Sequence, residues 1–266
     1  MKIKNPFFKK NSNILLSDII KLVKSKPIKK RVKIENICDL LNAKENDISF
    51  FNSLKYSNLL SKTKVKYVVT DIKYEKFVSK FCYPIIVENV LKSVASITSL
   101  LYPDALNDNI DFSVNSPNEK NYKNVKFGKN VLIGKNVIIG KNSYIGHNTI
   151  IESNVKIGSE CNIGSNVIIK YSLLGNNVRI LDGSIIGKKG FGFFPNEKQN
   201  LRYPHIGIVI IQDNVEIGCN NTIDRGSLSN TIIGNNCFLD NQVHIAHNVK
   251  IGNNCIIAGQ VGIAGS

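Results

Sequence analysis

Four histidines could carry chemistry near neutral pH: His147, His205, His244 and His247. An imidazole titrates close to neutrality, so its neutral form can take a proton from an attacking nucleophile. Two of the four share one string, Asp240-Asn241-Gln242-Val243-His244-Ile245-Ala246-His247-Asn248-Val249. If Ile245 points inward, its neighbour His244 points outward. His247, two positions past Ile245, then lies at a corner and can also project outward. An outward His247 is either a general base or an ordinary surface histidine. A zinc site held by histidine is a rival chemistry, but no further cluster of metal-ligand residues accompanies these. The six cysteines (Cys38, Cys82, Cys161, Cys219, Cys237 and Cys255) include no CxxC pair.

What positions these histidines is a period. An aliphatic residue returns every six positions at Ile133, Ile139, Ile145, Ile151, Ile157, Ile163 and Ile169. After a one-residue slip it continues at Leu174, Ile180 and Ile186. It resumes at Ile211, Ile217 and Ile223, then at Ile233, Leu239, Ile245, Ile251, Ile257 and Ile263. Helices and simple strands repeat at about 3.6 and 2 residues, so neither produces this pattern. It predicts a left-handed parallel β-helix of hexapeptide repeats, each hexad making a short strand and a turn. A β-sandwich of short strands would not keep nineteen hexads in phase.

Each position of the hexad has a physical reading. The aliphatic residue stacks inward on its copy one coil away. Gly often follows it (Gly134, Gly140, Gly146, Gly158, Gly164, Gly218, Gly234, Gly252), as expected where a corner needs unusual dihedrals. Asn136, Asn166, Asn214, Asn236 and Asn254 recur just after, and Asn tolerates left-handed turn geometry. Two residues before the aliphatic a small or β-branched residue fills the tight inner corner. Cys161, Cys237 and Cys255 occupy that slot and read as packing residues, in keeping with a reducing compartment.

Three hexads make a triangular coil of about 18 residues, and coils stack roughly 4.8 Å apart. Residues 18 apart in an unbroken stretch therefore lie above one another. Eighteen beyond His247 is Gly265. A Gly265 backbone N–H could face the same bound group as His247 and hold a developing oxyanion.

The period breaks at about Lys188–Gly207, which contains Gly190-Phe191-Gly192-Phe193-Phe194-Pro195, and again at Asp224–Asn230. Insertions into a stacked solenoid must leave it as external loops. The first is either a cover over a ligand or a plain surface excursion. Its glycines do not make a dinucleotide fingerprint, because the strand–helix context is absent.

Residues 1–102 lack the period and read as a small α/β domain. Ser17 is expected to cap a helix running to about Lys24. Ile48–Phe51, Val65–Thr70 and Ile85–Val87 read as strands, and Val90–Leu101 as a helix stopped by Pro103. Residues 103–124 are polar and read as a linker, with the β-helix occupying 125–266. The pattern stops at Ser266 in mid-coil, which implies missing C-terminal sequence.

Net charge is +15, and residues 1–35 hold 11 basic against 2 acidic residues. No aromatic residues interleave with the run from Lys26 to Lys33, so nucleic acid is disfavoured against a solvated surface or an acidic partner. No apolar stretch approaches the ~18 residues of a membrane span, and no signal peptide is visible; the cytoplasm is the default.

Several strings together resemble one family. They are Val215 through Gly226, which includes Thr222-Ile223-Asp224-Arg225-Gly226; Ile233-Gly234 through Asp240-Asn241-Gln242; Ile245-Ala246-His247-Asn248-Val249; Gly262-Ile263-Ala264-Gly265-Ser266; Gly190-Phe191-Gly192; and Ile48-Ser49-Phe50…Lys55-Tyr56. They resemble, in the family's order over nearly the whole chain, the UDP-3-O-(3-hydroxyacyl)glucosamine N-acyltransferases of lipid A synthesis. The resemblance implies that His247 is the general base and Gly265 the oxyanion donor. It places Asp240 and Asn241 near the sugar and the catalytic histidine, with Asp240 orienting the latter. It assigns Phe50 and Tyr56 to the acceptor's uracil, and puts Phe191 and Gly192 at the substrate. It implies acyl carrier protein as donor partner, a UDP-sugar lipid precursor as acceptor, a homotrimer, and no metal or redox cofactor.

This chain departs from the family at Ser53, where Asn is common, and at Lys189, where Asp usually precedes Gly-Phe-Gly. A second functional histidine and a helical extension of the family would lie beyond Ser266. Three other readings fit parts of the pattern: an acetyl-coenzyme A-dependent sugar acetyltransferase, a carbonic-anhydrase-type metal β-helix, and a non-catalytic scaffold.

Overall fold

The structure, a computed structural model, describes residues 5–195 and 200–265. Part of the first inserted loop and Ser266 of the terminal motif lie outside the described residues. The chain divides into two compact units. One comprises Met1–Phe7, Asp108–Phe191 and His205–Ser266; the other comprises Phe8–Asn107 and Gly192–Pro204.

The first unit is a left-handed parallel β-helix with three flat faces. Its strands are mostly two residues long and pair in parallel with the strand one coil away. The first face has seven strands, from Lys126–Phe127 to Ile256–Ile257. The second also has seven, from Leu132–Ile133 to Gly262–Ile263. The third has six, from Ile138–Ile139 to Lys250–Ile251. In each pair the hexad aliphatics stand opposite one another, as Ile151 does with Ile133 and Ile169. They form one continuous buried column with the small-slot residues Val155, Cys161, Val167 and Cys237. Polar residues in that slot satisfy themselves locally: Ser143 Oγ donates to the Gly140 carbonyl (2.9 Å) and Thr149 Oγ1 to that of Gly164 (2.7 Å).

The hexad glycines have a different cause from the one expected. The left-handed backbone falls on the Asn two positions later, with φ of 58° at Asn136, 57° at Asn166 and 59° at Asn254. Asn amide side chains also stack from coil to coil, Asn130 Nδ2 donating to Asn148 Oδ1 (3.1 Å) and Asn148 Nδ2 to Asn166 Oδ1 (3.3 Å). The glycines instead permit close approach. A Cβ on Gly140 would lie 2.4 Å from the Ser159 backbone nitrogen, and one on Gly146 2.4 Å from the Gly164 carbonyl carbon.

Residues from Asp108 onward belong to the rod's unit, so 103–124 is not a free linker. Asp111 accepts hydrogen bonds from the Ser153 amide (2.9 Å) and hydroxyl (2.6 Å), and Asn115 bridges Ile133. Asp111 and Asn115 thus tie this stretch to the rod, while most of its other residues face solvent.

The second unit carries four parallel strands in sequence order: Asn36–Ile37, Asp47–Phe51, Tyr67–Thr70 and Tyr83–Ile86. Pro84 is tolerated because its strand is at the sheet edge. The helix Val90–Leu101 starts where Asn89 Oδ1 accepts the Lys92 amide (2.9 Å). Ser17 does not cap the first helix. That helix spans Leu16–Leu22, and Asp18 closes it by accepting the Leu15 amide at 2.9 Å. The asparagine-led strand Asn36–Ile37 is too short to show a period.

Gly140→Ala is expected to lower the stability of the folded chain by about 1–3 kcal/mol, the usual cost of forcing a methyl into a filled space. Chemical denaturation measures it; an unchanged midpoint would refute close approach as the reason for glycine.

Candidate active site

Both breaks in the period leave the rod at one corner, between the second and third faces. The first loop follows the second-face strand Ile185–Lys188 and rejoins the third face at Val209. The second follows Thr222–Asp224 and rejoins at Thr231. Their lengths are visible in the coil-to-coil bonds. Asn177 pairs with Asn214 across 37 residues, and Cys219 with Asn241 across 22, where 18 is usual elsewhere. One coil further on, the same corner holds His247, and the next holds Gly265. His205, Asp224, Arg225 and His247 meet at this corner with Gly190 and Gly265.

His247 is half-buried at this corner. Its Nδ1 is closed off from solvent and has no hydrogen-bond partner among the described residues. Two glycines approach the ring closely. A Cβ on Gly265 would lie 2.7 Å from His247 Cε1 and 2.8 Å from Nδ1, while one on Gly190 would lie 3.1 Å from Nδ1. The fully buried His205 stands edge-on to it, ring centroids 5.0 Å apart at 87°. Burial depresses the His247 pKa below its ordinary value of 6.5, and the Asp224 carboxylate partly opposes this. The imidazole is thus biased towards its neutral, proton-accepting form.

Asp224 is 1% exposed and forms an ion pair with Lys188. Its other oxygen is 3.9 Å from His244 Nε2, and His244 Nδ1 is 2.7 Å from Thr222 Oγ1. Arg225 is completely buried. Its Nε donates to the His205 carbonyl (3.2 Å), its Nη1 reaches Asp108 Oδ1 (3.3 Å), and its guanidinium lies over the Tyr171 ring at 4.2 Å. Lys170 adds ion pairs to Asp108 (3.8 Å) and Glu152 (3.3 Å). A buried charge is stable only when paired and hydrogen-bonded in this way.

The expected residues fare unequally. His247 and Gly265 come together. Asp240 does not join them: it follows the strand Phe238–Leu239 at the corner between the first and second faces, where its carboxylate accepts the Gly259 amide (3.1 Å). The carboxylate that acts on His247 within the chain is Asp224. Asn241 sits at Asp240's corner, and its Oδ1 accepts the Cys219 amide (2.7 Å), stapling two coils.

His147 likewise accepts the Lys129 amide (2.8 Å) and is structural. Phe191 is 73% exposed, and Gly192 belongs to the other unit. In that unit Phe50 is half-buried on its strand, Ser53 Oγ accepts the Lys55 amide (3.4 Å), and Tyr56 is exposed beneath the Lys55 ammonium. A groove of about 650 Å³ there is walled by Asp71, Ile72, Ile86, Val87 and Lys92 among others; Phe50, Ser53 and Tyr56 are not part of it. Among the described residues no three His, Cys, Asp or Glu side chains group as metal ligands.

His205, Lys188, Asp224 and Arg225 were missed as site residues. The available signal was their position beside the two breaks, since an insertion is where a regular rod can present irregular side chains.

A model of bacterial transferase hexapeptide, six repeats long, matches residues 136–171 and 230–265. Both matched segments lie in the rod. Just over a third of the chain aligns with curated relatives at about half identity. A UDP-3-O-acylglucosamine N-acyltransferase of Agrobacterium fabrum is 50% identical over 95 residues, which is 36% of this chain and 27% of that protein. The protein of the same name from Rickettsia bellii is 50% identical over 101 residues, 38% of this chain and 30% of that one. The chain thus aligns with under a third of the length of these relatives. A solved UDP-N-acetylglucosamine acyltransferase from Bacteroides fragilis is 33% identical over 54% of this chain and 51% of its own, at a TM-score of 0.31.

His247 is expected to titrate below 6.5 by NMR. Between 6.5 and the lower folded value the unfolded chain binds the extra proton, so this residue's contribution to stability falls as pH drops through that window. A His247 titration at or above 6.5 would contradict the enclosure of Nδ1.

Proposed function

We propose that this chain transfers a (R)-3-hydroxyacyl group from acyl carrier protein to the 2-amino group of UDP-3-O-(3-hydroxyacyl)glucosamine. The observation that carries this reading is the imidazole of His247 packed against Gly190 and Gly265, in a chain of which over a third aligns at 50% identity with proteins of that named activity. The amine nitrogen attacks the thioester carbonyl carbon, and neutral His247 takes its proton. Negative charge gathers on the carbonyl oxygen, where the Gly265 amide, one coil above, donates to it. The carbon–sulfur bond then breaks, and the leaving thiolate receives the proton from His247. Amine, base and thioester held together need no covalent enzyme intermediate.

Phe50 and Tyr56 are assigned to the uracil of the acceptor, with Ser53 beside them; aromatic faces suit a nucleobase. The excess of 35 basic over 20 acidic residues favours an acidic carrier protein. Flat faces with outward Leu132, Ile150, Ile168 and Ile185 in a row on the second face support packing against further copies, and we assign a homotrimer. No helix among the described residues is long and apolar enough to cross a membrane. The six cysteines are free thiols, in keeping with the reducing cytoplasm as the compartment.

His247→Ala should lower kcat/KM for N-acylation at least ~100-fold, the ordinary contribution of a general base. The assay follows acyl transfer from acyl carrier protein to the UDP-sugar amine. Wild-type turnover by the variant would remove His247 from the mechanism.

A further inference from the structure

We propose that His205 is a positioning residue for His247: its ring, held edge-on against the imidazole, sets the plane of the base and keeps water from Nδ1. This rests on the role of His247 proposed above.

Three observations place it there. The two rings meet at 87° with centroids 5.0 Å apart, an arrangement in which the positive edge of one ring faces the π cloud of the other. His205 is 0% exposed, so its ring cannot swing away without opening the corner. Its backbone is anchored as well, because its carbonyl accepts the Nε–H of Arg225 at 3.2 Å. Arg225 in turn is fixed by Asp108, the Gly187 carbonyl and the Tyr171 ring. The buried arginine of the second break thus secures a histidine of the first.

Gly190 completes the arrangement. A Cβ there would stand 3.0 Å from His205 Nε2 and 3.0 Å from His247 Cβ, so the backbone at Gly190 rests against both histidines at once. A Cβ at 190 would make one of the two histidines give way by a few tenths of an ångström. Gly265, one coil on, also packs against the His247 ring. Of the elements around the imidazole, His205 supplies an aromatic ring, and its removal would admit solvent.

The charged and titratable groups around His247 are few. Asp224, paired with Lys188, acts on it from the coil below. His244, on its own strand, is engaged with Thr222. Arg225 faces the His205 carbonyl, and Lys189 adjoins Gly190 in sequence. The Gly262–Ile263 strand and Gly265 above bring no charge. Opening the His205 side would leave Asp224 in place while hydrating the ring, and both influences then favour the protonated imidazole.

The test compares His205→Ala, which opens the corner, with His205→Phe, which keeps an edge-on ring. The His247 titration is read by NMR in the free protein, and kcat and KM for N-acylation are read across pH. With alanine, the His247 titration and the acid limb of kcat/KM are expected to move up together. kcat should fall by roughly tenfold to a hundredfold, with KM little changed, as for a misaligned catalytic group. With phenylalanine both quantities should stay near those of the parent. Should the alanine variant not fold, His205→Leu keeps the bulk without the ring and reports the same quantities.

The proposal fails if His205→Ala leaves the His247 titration and kcat unchanged, or if phenylalanine loses as much kcat as alanine. A parent protein that transfers no acyl group, yet whose His247 titration moves in His205→Ala, would keep the positioning role and remove the transfer reading.

Discussion

Stacking of one coil on the next, so close at its glycine corners that a Cβ has no room, is the constraint on which the rest of this structure depends. Each coil is only three short strands, too little to form a core alone. Its aliphatic residues are buried because the neighbouring coils lie one strand spacing away. Where glycine follows the inward residue, as at Gly140 and Gly146, a methyl would collide with the backbone of the next coil. Asparagine takes the left-handed position and its amide continues the ladder between coils. Period, glycine and asparagine are three consequences of one contact.

That contact also explains how an irregular site arises on a regular rod. A loop cannot be inserted into a face without breaking the column of aliphatics, so extra residues leave at corners. Both insertions leave at the corner between the second and third faces, and the coils after them return to register, as Ile223 with Ile245 and Ile245 with Ile263 show. The rod stays rigid while one corner collects His205, Asp224 and Arg225 around His247. Rigid elements hold a reactive geometry better than loops do, and here the rod supplies the rigidity and the loops the side chains.

The electrostatics follow from the same corner. Arg225 is fully buried, yet it has Asp108, two carbonyls and an aromatic face as partners. Asp224 is similarly hidden and paired with Lys188. With these charges compensated, the dominant influence on His247 is loss of water. A depressed histidine pKa is what a base working near neutral pH needs, and it comes from packing as much as from charge.

Much of this was legible in the chain itself. Six-residue periodicity determines the coil, because only one backbone path places every sixth residue inward. Counting 18 from His247 determines that Gly265 lies above it, because no insertion intervenes. Counting fails where residues have been added, and the carboxylate beside His247 shows why. Asp240 is nearer to His247 in sequence, but a corner away in space; Asp224 lies further back in the chain, and the stack returns it to the same corner one coil below. His205 lies 42 residues from His247, beyond a loop of irregular length, and no spacing rule reaches it. Local pattern governs what each hexad does, whereas the meeting of residues across insertions depends on where the loops rejoin the stack, which tertiary packing alone decides.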